Sequence, residues 1–180
     1  MTDPVAELAS WVPPDGTQAS LRAAFLAHAT EHADATDRRC RPDHLTASVL
    51  VMNRDGSRVL LGLHRKVGLW LQFGGHIEPA DASLRAAGLR EAQEESGIAA
   101  LSLVGDQPVQ LDRHTAPCAP DARNHLDMEF LAIADDAAVP RVSDESIDVR
   151  WVASDSLPND TDQAVRRMVA ASRQLLVQAL

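Results

Sequence analysis

The segment that most constrains the fold runs from residue 74 to residue 98 and reads GGHIEPADASLRAAGLREAQEESGI. A glycine pair ends an apolar strand-like run, and a helical pattern dense in carboxylates follows it. On a helix, Glu91, Glu94 and Glu95 are spaced i, i+3 and i+4, so all three share one face. Like charges at this spacing repel, so helix stability alone gives no reason to cluster them. The opposite face is apolar, which predicts a helix that packs on a sheet.

The carboxylate face is typical of a site for a hard cation. Carboxylate oxygens are preferred by Mg²⁺ or Mn²⁺, and Gly74-Gly75 lets a backbone carbonyl approach where a side chain would obstruct it. Arg90 adjoins the cluster and is placed to orient one carboxylate. Considered alone, the three glutamates favour a solvated acidic helix face. The glycine pair, the Arg90-Glu91 pair and the terminal Gly97-Ile98 together favour the metal site.

These residues carry a resemblance to a known family. The segment resembles the Nudix box, GX5EX7REUXEEXGU, in which U is a bulky apolar residue, and residues 90–98 match its second half. The family's fold would cover roughly residues 44–155. The sequence departs from the pattern by one inserted residue in the loop 79–83. In that loop Asp81 stands where the family has glutamate, and Phe73 precedes the glycines where many members have proline.

The resemblance implies a loop–helix–loop that binds divalent cations, Mg²⁺ or alternatively Mn²⁺. The implied metal ligands are Gly74, through its carbonyl, Glu91, Glu94 and Glu95. The implied catalytic residues are Glu91, Glu94, Arg90, which would hold Glu91, and Glu145, a later-loop glutamate before the last strand. An ordinary surface acid remains the alternative for Glu145.

The implied activity is hydrolysis of a phosphoanhydride bond. The substrate would be a small nucleoside diphosphate linked to another moiety, or a nucleoside triphosphate. The alternative is a Nudix-fold module that binds or senses a nucleotide without turnover, although the intact box favours the enzyme. An isoprenoid diphosphate isomerase shares the fold, but no cysteine beside the box supports it.

Four residues outside the carboxylate helix are candidates for substrate binding. Arg65, at the end of a strand, is placed to meet a phosphate; an exposed basic turn is the alternative. Phe73 is one of few aromatic residues and could stack on a base, with core packing as the alternative. His125 and Asp127 alternate with Glu129 on one face of a strand. That face either lines the substrate cleft or forms a polar outer surface.

The remaining pattern predicts an α/β (α+β) fold with a mixed sheet and an added N-terminal helix. The resemblance implies that this fold is a Nudix-type α/β/α sandwich. Apolar strand-like runs occupy 44–53, 58–65, 69–73, 101–105, 108–115, 126–134 and 147–152. Helices are expected at 20–35, 83–96 and 160–178. We expect one domain overall, with residues 1–43 as an extension containing one helix and residues 44–180 as the Nudix domain.

Composition narrows the function classes further. The net charge of −9 argues against binding to a nucleic acid polymer, which requires a basic patch. No apolar run long enough to span a membrane is present, and the N-terminus does not resemble a secretory signal. Cys40 and Cys118 lack CxxC partners, which predicts free thiols and a cytoplasmic protein. The N-terminal and C-terminal helices leave a homodimer open.

Overall fold

Residues 2–115 and 121–178 are described in a computed structural model. The helices are α1 (Pro4–Ser10), α2 (Gly16–Glu31), α3 (Leu84–Ser96) and α4 (Gln163–Gln178). The first four strands are β1 (Asp43–Asn53), β2 (Arg58–His64), β3 (Trp70–Leu71) and β4 (Phe73–His76). The other strands are β5 (Leu101–Leu103), β6 (Gln110–Thr115), β7 (Asn124–Ala134) and β8 (Ser146–Ala153).

The strands form one mixed sheet around a long central parallel pair. Strand β1 runs parallel to β7 along its whole length, from Asp43↔Asn124 to Asn53↔Ala134. The other pairings are antiparallel, with β2, β4 and β8 on the β1 side and β5 and β6 on the β7 side. The expected mixed sheet is therefore confirmed.

Helices cover both faces of the sheet. Ala87 and Ala92 of α3 belong to one buried cluster with Ala47 and Met128 of the central strands. On the other face, Val165 and Met168 of α4 pack with a second cluster, which includes Leu50, Met52 and Leu131. Because side chains alternate along a strand, successive residues of β1 and β7 supply the two clusters in turn. The α/β/α sandwich is confirmed.

Local signals fix the ends of α3. The Ser83 side chain accepts a hydrogen bond from the Ala86 N–H at 3.0 Å, which caps the N-terminus. Gly97 adopts a left-handed conformation with φ of 68° at the C-terminal cap, where a side chain would be strained. The helix expected at 83–96 is thus confirmed within one residue.

The N-terminal extension differs from the expectation of one helix. It contains two helices, because Asp3 caps α1 through the Val5 N–H and Asp15 caps α2 through the Gln18 N–H. Helix α2 therefore begins and ends four residues before the predicted 20–35. Leu8 and Phe25 are fully buried in the cluster beneath α3. We propose that the extension and the sheet form one folded unit.

Two further expectations concern the cysteines and membrane-spanning helices. Cys40 is a buried free thiol, while Cys118 lies outside the described residues. Over residues 2–115 and 121–178, no helix combines the length and the apolar character that crossing a bilayer requires.

Candidate active site

The carboxylates of α3 lie directly beneath the glycine pair of β4. A Cβ added to Gly75 would lie 2.9 Å from both Cδ and Oε1 of Glu91, so only glycine leaves room for this carboxylate. The Gly74 N–H donates to Oε2 of Glu95 at 3.3 Å. The i, i+4 spacing of Glu91 and Glu95 thus aims both side chains at the same short strand, as the sequence predicts.

The site concentrates negative charge where water is largely excluded. The pKa of Glu95 is raised to about 8, chiefly by burial and next by the charges of Glu145 and Glu91, while the hydrogen bond from Gly74 acts in the opposite direction. Burial also raises the pKa of Glu91, although Arg90 opposes the shift. Three carboxylates therefore crowd one another, an arrangement that a bound cation relieves.

Arg90 joins the helix to the glycine strand and to the loop between them. Its Nη1 donates to Oε1 of Glu91 at 3.0 Å and to Oε2 of Glu94 at 3.2 Å. Its Nη2 donates to the backbone carbonyl of His76 at 3.0 Å. Because these contacts fix Glu91 relative to β4, Arg90 acts as a positioning residue, as expected from the Arg90-Glu91 pair.

Asp81 is the main acidic partner of Arg90. Its Oδ1 accepts from Nε of Arg90 and its Oδ2 from Nη2, both at 3.0 Å. Oδ2 also accepts from the Glu78 N–H at 2.8 Å, which closes the lengthened loop. Burial by itself would raise the pKa of Asp81. The hydrogen bonds from Arg90 and from the Glu78 N–H outweigh this effect, so the pKa of Asp81 lies below its ordinary value. Sequence reasoning placed Asp81 in the loop without assigning this role.

Glu145 reaches the site from the loop before β8. It lines the same cleft as Glu91, and its charge acts on Glu95. Arg65 stabilises this loop, because its Nε donates to the Asp144 carbonyl at 3.0 Å and its Nη2 to the Ser146 carbonyl at 2.8 Å. The structure therefore gives Arg65 a role in positioning Glu145, while a contact between Arg65 and substrate stays a prediction.

The carboxylates face a cleft of about 780 Å³. The N-terminal extension also lines this cleft, to which it contributes Arg38, Arg39 and Arg41. Arg39 pairs with Asp37 and Arg41 with Asp121. No local sequence pattern predicts that this basic run lines the same cleft as the carboxylate helix.

The structure separates several predicted site residues from the cleft. Glu94 is exposed over 60% of its side chain; it pairs with Arg90, and its charge also acts on Glu91, while a role as metal ligand stays a prediction. Phe73 is 1% exposed and belongs to the core, which contradicts stacking on a substrate. Asp127 is 3% exposed, and its oxygens accept from the Thr46 and Ser48 hydroxyls. Direct contact between Asp127 and substrate is therefore also corrected.

His125, Asp127 and Glu129 share one face of β7, but that face is not an outer surface. Helix α4 covers its inner part, and Glu129 is fully buried. Glu129 accepts hydrogen bonds from the side chains of Gln72 and Gln110. Burial raises its pKa well above the ordinary value, and the nearby Asp127 acts in the same direction. The expected alternation is thus correct, whereas the expected polar outer face is wrong.

His125 lies within a group of histidines that sequence reasoning did not connect. In the parallel pairing of β1 with β7, His44 is the partner of His125. In the antiparallel pairing of β1 with β4, His76 is the partner of Thr46, two residues after His44. The ring centroids of these three histidines are 4.9–5.2 Å apart. Only the strand register brings residues 44, 76 and 125 together.

The donor set at the glycine strand fits a hard divalent cation. Glu91, Glu95 and Glu145 provide carboxylate oxygens, and the missing side chain at Gly75 leaves the cradle in which Glu91 lies. Glu95 is the most strongly perturbed acid of the group, and two neighbouring carboxylates contribute to its shift. The carbonyl of Gly74 stays a predicted ligand.

Comparison with known proteins supports this interpretation. The NUDIX domain family profile matches residues 42–172. A MutT NUDIX hydrolase from Burkholderia pseudomallei is 25% identical, with a TM-score of 0.56 over 72% of this chain and 97% of that one. No curated protein matches the sequence.

Two structures of lower identity share the fold. A C. elegans Ap4A hydrolase in a binary complex is 16% identical, with a TM-score of 0.63 over 74% of this chain and 98% of that one. The E. coli dihydroneopterin triphosphate pyrophosphohydrolase is 19% identical, with a TM-score of 0.60 over 77% and 97%. The glycine-backed carboxylate helix and the profile match over most of the chain lead to one conclusion: this chain belongs to the NUDIX domain family and is a Nudix hydrolase.

Proposed function

We propose that the protein hydrolyses a phosphoanhydride bond in a small nucleotide-like substrate with Mg²⁺ or Mn²⁺ as cofactor. The observation that carries this proposal is the cleft itself. The same cleft is lined by two acids, Glu91 and Glu145, whose charges act on Glu95, and by three arginines of the N-terminal extension. A cleft that contains both cation ligands and arginines suits a polyphosphate chain, because its oxygens can bind to the cation and to the arginines.

Glu91 and Glu95, with the Gly74 carbonyl, would hold the cation. A divalent cation of this kind supplies charge neutralisation for phosphate oxygens and lowers the pKa of a coordinated water. Arg90 keeps Glu91 against β4, because it binds the Glu91 carboxylate and the His76 carbonyl simultaneously. The site is therefore largely organised before substrate enters.

Glu145 is the residue we assign as general base. Its side chain is exposed to the cleft, where it can reach a water molecule, and its loop is held by Arg65. A positioned carboxylate that accepts a proton contributes typically 10²–10⁴-fold to a rate. Arg38 and Arg41 bind phosphate oxygens through charge-assisted hydrogen bonds.

The two neighbours with named substrates act on Ap4A and on dihydroneopterin triphosphate. Their likeness to this chain supports the fold alone. Together with the arginines of the cleft, it motivates a panel of phosphoanhydrides: nucleoside triphosphates, dinucleoside polyphosphates and nucleoside diphosphates linked to other groups.

The full-length protein should be assayed on this panel with Mg²⁺, with Mn²⁺ and with a chelator, with products separated by chromatography. We expect at least one substrate to be cleaved only when the divalent cation is present. Glu91→Gln and Glu145→Gln should each lower kcat by about 10²-fold or more. Glu31→Gln, an exposed acid at the end of α2, should retain wild-type turnover.

Near-native turnover in Glu91→Gln, or turnover that persists in the chelator, would overturn the proposal. Saturable nucleotide binding without turnover of any panel substrate would instead support a non-catalytic Nudix-fold module.

A further inference from the structure

We propose a second metal site, formed by His44, His76 and His125, that binds a divalent transition metal such as Zn²⁺. One ring nitrogen from each histidine lies within 4.8 Å of a ring nitrogen of the other two. The three ligands come from the adjacent strands β1, β4 and β7. A metal here would therefore cross-link the sheet at one end.

Unsatisfied nitrogen atoms point to a ligand at this place. Nε2 of His76 and Nε2 of His125 are buried from solvent and have no hydrogen-bond partner in the part of the chain that the structure describes. Buried polar atoms normally have partners, so such atoms require an explanation. A metal coordinated by both nitrogens supplies one.

The surroundings of His125 resemble those of a metal-bound histidine. Its Nδ1 lies 3.3 Å from Nε2 of His114, whose Nδ1 lies 3.1 Å from Oδ2 of Asp112. Asp112 is in turn bound by Arg167 at 3.0 Å. If Nδ1 of His114 donates to Asp112, then Nε2 of His114 can accept a hydrogen bond from Nδ1 of His125. In this tautomer Nε2 of His125 carries no proton, and its lone pair is available to a metal. Carboxylate–histidine partners of this kind orient metal ligands and raise their basicity.

The chemistry of the ligands distinguishes this site from the carboxylate site. The three potential ligand atoms are imidazole nitrogens, and no carboxylate belongs to the group. Neutral imidazoles bind Zn²⁺, Cu²⁺ or Ni²⁺, whereas Mg²⁺ prefers oxygen ligands. Zinc-bound nitrogens lie roughly 3.4 Å apart in a tetrahedral site. Rotation of the rings would therefore have to shorten the distances between the three nitrogens, which now lie within 4.8 Å of one another.

The histidine group lies on the other face of β4 from Glu91, although His76 also lines the cleft that contains Glu91 and Glu145. The side chains of His44 and His125 share the face of Asp127, whereas Gly75 approaches Glu91 on the α3 side. The two sites nevertheless share β4, since the carbonyl of His76 accepts from Arg90. This proposal rests on the histidines alone and holds whether or not the carboxylate site is catalytic.

A second group, His32, Asp34 and Cys40, also has the spacing of a metal site. Its thiol is a poor ligand, because burial raises the pKa of Cys40 to about 11 and a metal binds the thiolate. Cys40→Ser therefore serves as the matched control for the histidine site.

The test is titration of the full-length, chelator-treated protein with Zn²⁺ in excess Mg²⁺, followed by calorimetry and by the midpoint of thermal unfolding. Co²⁺ in place of Zn²⁺ gives visible absorption bands that report tetrahedral nitrogen ligands. We expect one equivalent of Zn²⁺ and a raised midpoint. Both effects should be lost in His125→Asn and His76→Asn and retained in Cys40→Ser and Glu95→Gln.

His114→Asn tests the same site without removing a ligand, and it should weaken Zn²⁺ binding by about 10–100-fold. It decides the outcome if a ligand variant does not fold without metal. The proposal is overturned by an absence of saturable Zn²⁺ binding, by binding that persists in folded His125→Asn, or by wild-type affinity in His114→Asn.

Discussion

Arg90 and Asp81 form a two-point ion pair, with Nε and Nη2 of the guanidinium each 3.0 Å from one carboxylate oxygen. The pair ties the active-site helix to the loop that precedes it. We expect Asp81→Asn to lower the free energy of unfolding by roughly 2 kcal/mol, because hydrogen bonds between charged groups are lost. It should also lower kcat, since Arg90 no longer holds Glu91. Chemical denaturation and steady-state kinetics measure both effects.

Glu78→Gln is the control for this variant. Glu78 lies in the same loop, but it is 61% exposed and 4.0 Å from Arg90. Its substitution should change the unfolding free energy by less than about 1 kcal/mol. Equal effects in the two variants would contradict the role of Asp81.

Substitution of the two active-site glycines by alanine should affect different properties, catalysis at Gly75 and stability at Gly74. In Gly75→Ala the new Cβ meets the terminal carboxylate of Glu91, which can be displaced more easily than backbone atoms. We expect the fold to survive and kcat to fall by roughly 10-fold or more, because the displaced carboxylate no longer has its native position. In Gly74→Ala the Cβ would lie 2.6 Å from Cα of Ser48 and 2.8 Å from the Ala47 carbonyl. Backbone cannot yield as a side chain does, so stability should fall by about 1–3 kcal/mol.

Gly16→Ala is the neutral control, because no neighbouring atom lies within 4 Å of the added Cβ. Kinetics and thermal unfolding of the three variants check the contrast. A Gly75→Ala enzyme with wild-type kcat would contradict the contact between Gly75 and Glu91.

The raised pKa of Glu95 predicts how the cation-free protein responds to pH. The ordinary pKa of 4.5 applies to the unfolded chain, and the folded value is about 8. Between these values the folded state holds a proton that the unfolded state has released, so stability falls as pH rises. In the presence of a chelator, the thermal midpoint should fall from about pH 5 to about pH 8 more steeply than in Glu95→Gln.

Addition of Mg²⁺ should flatten this slope in the wild type, because the cation binds the ionised carboxylate. Glu31→Gln, outside the site, should keep the wild-type slope. Identical slopes in wild type and Glu95→Gln would show that Glu95 does not carry the effect.

Arg65 should affect catalysis through Glu145. Arg65→Gln removes the hydrogen bonds to the Asp144 and Ser146 carbonyls, so the loop that carries Glu145 shifts. We expect kcat to fall roughly 10-fold with little change in KM, since misplacement of a catalytic group mainly affects the chemical step. Lys66→Gln, at the exposed neighbouring position, should leave kcat unchanged. A raised KM with native kcat would instead indicate that Arg65 binds substrate.

The arginines of the cleft should act on substrate binding. Arg38 is exposed at the cleft, and it makes no ion pair with another described residue. Arg38→Gln should raise KM about 10-fold with kcat nearly unchanged, because a charge-assisted contact to phosphate is lost. Arg54→Gln, at the exposed β1–β2 turn, is the control with the same change of charge. A native KM in Arg38→Gln would contradict this placement.

The sequence by itself determined the elements that depend on local chemistry. The i, i+3, i+4 spacing placed Glu91, Glu94 and Glu95 on one face, and the signals at Ser83 and Gly97 bounded the helix. Short apolar runs identified the strands of the mixed sheet. These features follow from periodicity and capping, which act over a few neighbouring residues.

Only the tertiary structure decided which residues meet. Parallel pairing of β1 and β7 brings His44 beside His125, and β4 adds His76 on the other side of β1. Folding of the extension places Arg38 in the same cleft as Glu91. Packing of the sheet against its helices buries Phe73 and Asp127, for which the sequence had left both a substrate contact and another role open. Register and packing join residues distant in the chain, and no local pattern encodes those distances.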